Sequence, residues 1–533
     1  MTAGVGIRRR ALPRPERLAG PLSAVVALAA WELLARALAG SYLLAGPVDV
    51  TLWILDNAGL LGRALAVTLH EAALGYLWGN LAGIALAVLV LLLPRLEGLV
   101  QALALVVFCL PLVATGPILR VLYGPGIGPQ VTLAALAVYY TTFVPLVVGL
   151  RAAPATWLDL VSSYGRGRWT ALVKVRAFAS VPYLIAGLQI AAPAAFLGAM
   201  VGEFTGAERG MGVLAIRAMR ALDVEATWAL ATVASAVAIA VYLGVGRLGR
   251  LVWPDRPALI LSSAPGGPSA GLGQRLIDGL GVPALTLLVV LVAWWGLMEI
   301  FDLNRFFAKR PGDVWGFLVT APEAAAHRAE LVGAMGQTLG FVVPGYLAGL
   351  LLGAALAAIF TLLPMVATVA LPVSIAVRSI PIVTTAPLIV LALGRGAVGT
   401  VTIVAVMIFF PTLVACMQGL RQAPGQVLDV FESFATGRLR TLVLAQLPAM
   451  LPAFFASARM AVPAAILAIT VAEWLATGTG IGNLMALSAS TSDYNMLWSS
   501  IVIVTLLSYA AYVGVGAVER AVLAVYAPEQ VRR

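Results

Sequence analysis

The chain has 533 residues, 61% of them hydrophobic and 11% charged, with a mean hydropathy of +0.98. Soluble domains carry roughly 25% charged residues, so this composition excludes a soluble globular protein. The formal charge of +10 comes without any basic stripe interleaved with aromatics; it therefore points to basic loops beside membrane spans and away from nucleic acid.

Taken in chain order, Arg8-Arg9-Arg10 and the apolar run that follows have the look of a signal peptide. An equivalent run near Val282 to Ile300 lies mid-chain, so the first helix is expected to be an uncleaved anchor. Apolar segments follow near 22–40, 69–93, 97–122, 129–150, 180–203 and 228–248. A second set lies near 280–301, 338–363, 367–393, 398–418, 450–473 and 497–522. A hydrocarbon core needs about 20 helical residues, and each segment is long enough. The reading is an all-α integral membrane fold of about twelve spans. Its first repeat is 1–252, its linker 253–275 and its second repeat 276–533. The linker, with Pro254, Pro257, Pro265 and Pro268 among Gly, Ser and Ala, has the composition of a flexible connector.

The two sets of spans are copies. Pro111-Leu-Val-Ala-Thr115-Gly-Pro117 returns as Pro381-Ile-Val-Thr-Thr385-Ala-Pro387, an offset of 270 residues. The same offset carries Gly75, Tyr76, Gly79 and Gly83 onto Gly345, Tyr346, Gly349 and Gly353. It also carries Asp159, Glu203, Gly210, Gly212 and Trp228 onto Asp429, Glu473, Gly480, Gly482 and Trp498. Six spans per copy is an even number, so the halves run parallel. Basic residues set the orientation: Arg8 to Arg10, Arg95, Arg151, Arg166, Arg168, Lys174, Arg176, Arg247 and Arg250 share one side. By the positive-inside rule that side is cytoplasmic, with both termini on it.

Cys109 and Cys416 lie in apolar runs and are not repeat equivalents, which argues against a disulfide framework. His70 and His327 have no second ligand type at metal spacing, so no metal site is expected.

Two cytoplasmic loops between the fourth and fifth spans carry the most specific pattern. One holds Asp159, Ser163, Gly165, Gly167 and Arg168; the other holds Asp429, Ser433, Ala435, Gly437 and Arg438. Each opens with a short amphipathic run, breaks at a small residue and resumes toward a proline before the next span, which reads as helix, tight turn and re-entering helix. In this the chain resembles the permease subunits of bacterial ABC importers, whose loop carries Glu-Ala-Ala, three residues and Gly. Asp159-Leu-Val and Asp429-Val-Phe stand at the Glu-Ala-Ala positions, and Gly165 at the glycine. Ala435 is the repeat partner of Gly165, so Gly437 is expected to supply the second turn. The endings Val201-Gly-Glu203 and Val471-Ala-Glu473, each followed by a Gly-x-Gly, look like the nitrate, sulfonate and taurine branch of type I importers, present as two fused copies. The likeness covers nearly the whole chain except the linker and tails.

The resemblance implies that the loop helices couple to two ATPase subunits. It also implies a periplasmic or lipid-anchored solute-binding protein, and no second permease subunit. The lysines are Lys174 and Lys309, and neither sits in a G-x-x-x-x-G-K-[ST] loop. The chain is thus expected to be no enzyme and to bind no cofactor itself, with ATP and Mg used by the partner ATPase in the bacterial inner membrane.

Charges within apolar spans default to functional candidates. Arg378, Arg120, Arg459 with its repeat partner Gln189, and the outer-end carboxylates Glu203 and Glu473 are the candidates for a path taken by a small anion. Pro111, Pro117, Pro381 and Pro387 bend their helices and are candidates for gating or packing. A secondary transporter also has two six-helix halves, but commonly needs acids deep in the membrane. Glu32 reads as the one acid well inside a segment, and Arg36 one turn on is its expected partner. A channel or membrane enzyme finds less support, since neither a filter-like loop nor a nucleophile–base pair is visible.

Overall fold

The computed structural model describes residues 25, 28–38, 44–253, 281–367, 386, 389, 390 and 392–526. Within them the fold is helical throughout. The first half comprises residues 28–37, α1 (Pro47–Asp56), α2 (Ala58–Leu92), α3 (Glu97–Phe108), α4 (Leu112–Tyr123) and α5 (Gly128–Arg151). It continues with α6 (Ala155–Ser163), α7 (Ala177–Phe204), α8 (Met211–Arg220) and α9 (Val224–Val252). The second half comprises α10 (Val282–Ile300), α11 (Pro311–Trp315), α12 (Ala324–Leu362), α13 (Ala397–Leu420) and α14 (Gly425–Ser433). It ends with α15 (Leu447–Ala472), α16 (Gly480–Ser490) and α17 (Tyr494–Tyr526).

Nine helices among the described residues are long and apolar enough to cross a membrane, and α3 with α4 makes a tenth span if the bent pair is counted as one. The expected first span is described only in part, and most of the ninth lies outside the described residues, as does nearly all of the linker. Two expectations change. The third span is not one bent helix: α3 and α4 meet at 90° across Cys109 to Pro111. Pro111 caps α4 with extended backbone, while Pro117 sits inside α4. The second span is longer than its hydropathy suggested. α2 begins at Ala58; Arg63 and His70 lower the local hydropathy without breaking the helix.

The halves are built alike. α5 packs along α2 and α7, and α13 along α12 and α15. Glycines set how closely these helices approach. A Cβ on Gly79 would stand 2.6 Å from the Ala135 carbonyl oxygen, and one on Gly353 2.5 Å from that of Phe409. The Tyr76 hydroxyl donates to the Leu188 carbonyl at 3.1 Å and that of Tyr346 to Ala458 at 2.8 Å, tying α2 to α7 and α12 to α15 at equivalent positions. Trp31 packs on Trp228, and Trp294 on Trp498. The two halves join through the broken span, since α3 and α4 pack against α10, α15, α16 and α17.

Candidate functional site

At one end of the bundle, α6 and α14 stand off the spans with no buried residue. Both are nine residues long, and both close through the same turn. The amides of Gly165 and Arg166 reach back to the carbonyls of Ser162 and Val161, at 2.9 and 3.2 Å. Ala435 and Thr436 do the same with Glu432 and Phe431, at 2.9 and 3.0 Å. These are paired Schellman-type bonds, which require a left-handed residue at the turn. Gly165 supplies it at φ 65°, and Ala435 adopts it at φ 49°. The expectation that Gly437 makes the second turn is therefore corrected: its φ is −64° and it caps the next helical turn. Ser163 and Ser433 bond back to Leu160 and Val430, each at 2.8 Å, and serve the helix ends. Asp159, Asp429, Gly167 and Arg438 are exposed. Arg168 opens the following helical turn, Arg168–Ala171. Each loop then re-enters the bundle through a turn of π-helix, Leu172–Arg176 or Leu442–Gln446.

One feature of these loops escaped the sequence reading. Trp157, Leu160 and Tyr164 are 56%, 56% and 76% exposed, and their repeat partners Val427, Val430 and Phe434 are 40%, 53% and 80% exposed. Spacing of three and four residues places each set on one helix face. Two matched apolar stripes held in the open have the character of contact surfaces. The spacing is visible in the sequence, but composition does not show that these side chains stay uncovered.

Between the halves lies an apolar contact with approximate two-fold character. Val201 of α7 and Val471 and Ala472 of α15 share one buried cluster with Val113, Ala386, Val390 and Ile403. Leu197 and Phe204 border it from the first half, and their repeat partners Leu467 and Trp474 from the second. Val201 and Val471, equivalent residues, thus share one cluster, as a two-fold relation between the halves requires.

Close by, the fifth-span carboxylates hold the opposite end together. Glu203 is 1% exposed; it accepts from the Thr68 hydroxyl at 2.6 Å and from the Gly212 amide at 2.5 Å. Glu473, also 1% exposed, accepts from Thr338 at 2.8 Å and from the Gly482 amide at 2.9 Å. Each threonine oxygen in turn accepts an amide, from Met211 or Ile481, at 2.9 Å. The carboxylates therefore clasp the N-termini of α8 and α16 onto α2 and α12, where free amides favour negative charge. Gly210 is required beside this clasp. Its φ is 128°, and a Cβ would lie 2.2 Å from the Glu203 carboxyl. Expected on a solute path, both glutamates instead sit in closed, satisfied sites.

The remaining candidates separate. Arg459 pairs with Glu519 of α17, Nε to Oε2 at 3.0 Å, and Gln189 lies against Gly246. Arg120, half-buried, donates to the Gly126 carbonyl at 3.4 Å at the end of α4. Arg378, Pro381 and Pro387 lie outside the described residues. Glu32 pairs with Arg36 at 2.8 Å. It is not the one acid inside a segment, because the longer α2 also buries Glu71. Cys109 and Cys416 are free and buried. No cluster of three metal-ligating side chains occurs among the described residues.

Two parallel helical halves, each with an outlying loop helix and a clasped loop at the other end, define a two-fold transport scaffold. Residues 79–254 and 345–524, together about two thirds of the chain, each match the family described as the binding-protein-dependent transport system inner membrane component. The chain belongs to that family, as two ABC importer permease domains fused in tandem. A Haemophilus influenzae protein named as a probable ABC transporter permease is 30% identical over 242 residues, 44% of this chain and 98% of its own length. The formylaminopyrimidine transport permease protein ThiX of Halalkalibacterium halodurans is 26% identical, over 42% of this chain and 91% of its own. SsuC of Bacillus subtilis, named for aliphatic sulfonate transport, is 24% identical, over 37% of this chain and 72% of its own. These relatives are about as long as one half, and this chain carries two.

Proposed function

We propose that this chain forms the whole membrane path of an ATP-driven importer for a small organic or inorganic anion, with α6 and α14 as its two coupling helices. The observation that carries this reading is the matched pair of exposed stripes, Trp157/Leu160/Tyr164 and Val427/Val430/Phe434. Apolar side chains left uncovered by the protein on two equivalent helices favour a partner with two equivalent grooves, and a dimeric ATPase offers that. Asp159 and Asp429 rim the stripes and are exposed to meet polar partners. The basic bias favours the loop end in the cytoplasm, which would turn the clasped loops after Glu203 and Glu473 to the periplasm. There they would meet a solute-binding protein. ATP-driven closure of the ATPase would pull α6 and α14 together and rock the halves about the Val201–Val471 contact, giving alternating access.

An anion is favoured by the sulfonate-linked relative and by the arginines of the spans, above all Arg378. A substituted pyrimidine is the cargo named for ThiX, so both classes belong in the uptake assay. The test is uptake into proteoliposomes with and without the cognate ATPase and ATP. Transport that depends on both, and is lost when Trp157, Leu160, Val427 and Val430 are changed to serine, is the expected result. Uptake that persists without an ATPase overturns the reading.

A further inference from the structure

The second half carries an open cavity of about 470 Å³ at the end of α10, lined among others by Arg305, Lys309, Gly312, Asp313, Phe317 and Asn495. Small-ligand pockets span roughly 300–1,000 Å³, so the cavity has the size of a binding site. Asn495 lies in the first turn of α17, just after the clasped helix α16, and the Trp498 indole donates to the Phe307 carbonyl at 2.9 Å. The cavity therefore belongs to the clasped end of the bundle. α10 has the smallest buried share of the candidate spans among the described residues, and so leaves most of its surface to lipid. Beside its last turn Phe301, Phe306 and Trp315 are exposed. Aromatic side chains at the end of a lipid-facing span mark the level of the head groups.

Arg305, Lys309 and Arg310 crowd this corner, but they are not alike. Arg310 is buried and satisfied: its guanidinium pairs with Glu299 at 2.9 Å and donates to the carbonyls of Leu303 and Ala308. Arg305 and Lys309 form no ion pair with a carboxylate among the described residues. Arg305 is exposed, and the Lys309 ammonium lies 5.9 Å from the centre of the Phe306 ring. Asp313 is the one acid of the lining, and its Oδ2 already accepts the Arg310 amide at 2.9 Å. Two cations against one carboxylate leave the cavity positive. The first half has no counterpart. Its Trp31 indole donates to the Ala45 carbonyl as Trp294 does to that of Lys309, so Ala45 stands where Lys309 stands. Residues 37–46 contain neither lysine nor arginine.

We propose that this cavity holds the phosphate of an anionic phospholipid head group, with Arg305 and Lys309 as its cationic ligands and Asn495 as a further donor, so that one lipid docks on the second half alone. Unpaired cations at head-group depth attract lipid phosphate. A guanidinium offers paired N–H groups to phosphate oxygens, and an ammonium adds a compact point charge. The surplus positive charge disfavours a zwitterionic head, whose own cation would share the cavity, and favours a head with neutral glycerol beyond the phosphate. A lipid held here bridges the loop after α10 to the start of α17, and fastens the least covered span to its own half.

The experiment uses the full chain in detergent with phosphatidylglycerol or phosphatidylcholine added, and reads the retained lipid by native mass spectrometry. The parent should retain phosphatidylglycerol in preference by a factor on the order of tenfold, and Arg305→Gln with Lys309→Gln should remove that preference. Phosphatidylglycerol should also raise the melting temperature of the parent and not of the double variant. Lys309→Arg, which keeps the charge, should keep the preference. Gly312→Leu is a second route, because a Cβ there would meet nothing within 4 Å. Its side chain enters open space without strain and crowds the cavity with both cations intact, so the preference should again be lost. Equal retention of the two lipids by the parent overturns the proposal. So does an unchanged preference in the double variant or, where that variant does not fold, in Gly312→Leu. Inorganic phosphate that stabilises the parent as well as phosphatidylglycerol does would make this a site for free anions and overturn it too. A double variant that keeps phosphatidylglycerol but no longer captures its solute-binding protein would assign the two cations to that protein instead.

Discussion

Arg459 of α15 and Glu519 of α17 form an ion pair, Nε to Oε2 at 3.0 Å, at a level where the first half has Gln189 and Gly249. Little of either side chain reaches solvent, and the guanidinium also lies 5.8 Å from the Tyr512 ring. Removing one member of such a pair leaves the other charge unmatched, at a cost of about 3 kcal/mol or more. Glu519→Gln should therefore lower the melting temperature in detergent clearly, and Arg459→Gln with Glu519→Gln should restore most of it. Uptake should recover with stability. If the double variant is stable yet transports nothing, Arg459 serves the solute and not the packing of α15 on α17.

The glycines of α2 separate into two kinds. Gly79 faces α5, where a Cβ would meet the Ala135 carbonyl oxygen at 2.6 Å, whereas Gly62 has nothing within 4 Å. Gly79→Ala should destabilise by about 1–3 kcal/mol through forced separation of α2 from α5. Gly62→Ala should stabilise by up to about 1 kcal/mol, since alanine is the better helix former. Thermal unfolding of the two variants side by side checks this, and equal melting temperatures would contradict it.

Much of this architecture could be read from the chain because duplication writes each constraint twice. Gly75 to Gly83 and Gly345 to Gly353, or the Glu203 and Glu473 motifs, stand out as shared positions before any coordinate is known. What escaped depends on distance across the fold. Thr68 and Thr338 are ordinary threonines in sequence, yet each lies 135 residues from the carboxylate it completes. Glu71 was hidden by the helix start: hydropathy fades across Arg63 and His70, which put this acid at an edge when it lies inside α2. The apolar stripes of α6 and α14 obeyed a visible spacing, but composition cannot say that such residues stay in the open. Ala435 followed chain geometry over residue preference, because the bonds to Glu432 and Phe431 fix the turn there.

That turn makes its own prediction. Ala435 holds φ 49° where its partner Gly165 holds φ 65°, and a left-handed alanine costs about 1 kcal/mol more than glycine. Ala435→Gly should slow hydrogen exchange in the last turn of α14 and leave ATPase capture intact. Gly165→Ala should speed exchange in α6 by the same factor, about fivefold for ~1 kcal/mol. Unaltered exchange in both would mean that the neighbouring bonds, and not the residue, carry the turn.

The contact around Val201 and Val471 is packed with apolar side chains and bordered by Leu197, Phe204, Leu467 and Trp474, and in the proposed transport cycle it would close the path between the halves. A buried polar group without a partner costs roughly 1–3 kcal/mol, and a seal that admits water stops being a seal. Val471→Asn should therefore weaken closure of the resting path more than it weakens the fold. In proteoliposomes without ATP, the expected outcome is slow leak of the transported solute through Val471→Asn and none through the parent chain. Val201→Asn should leak likewise, because α7 presents the equivalent residue to the same cluster. Val443→Asn, at an exposed position near the start of the same long segment, is the control and should stay tight. Leak through all three variants would point to general loosening of the bundle, whereas tight vesicles throughout would place the closed gate elsewhere along the path.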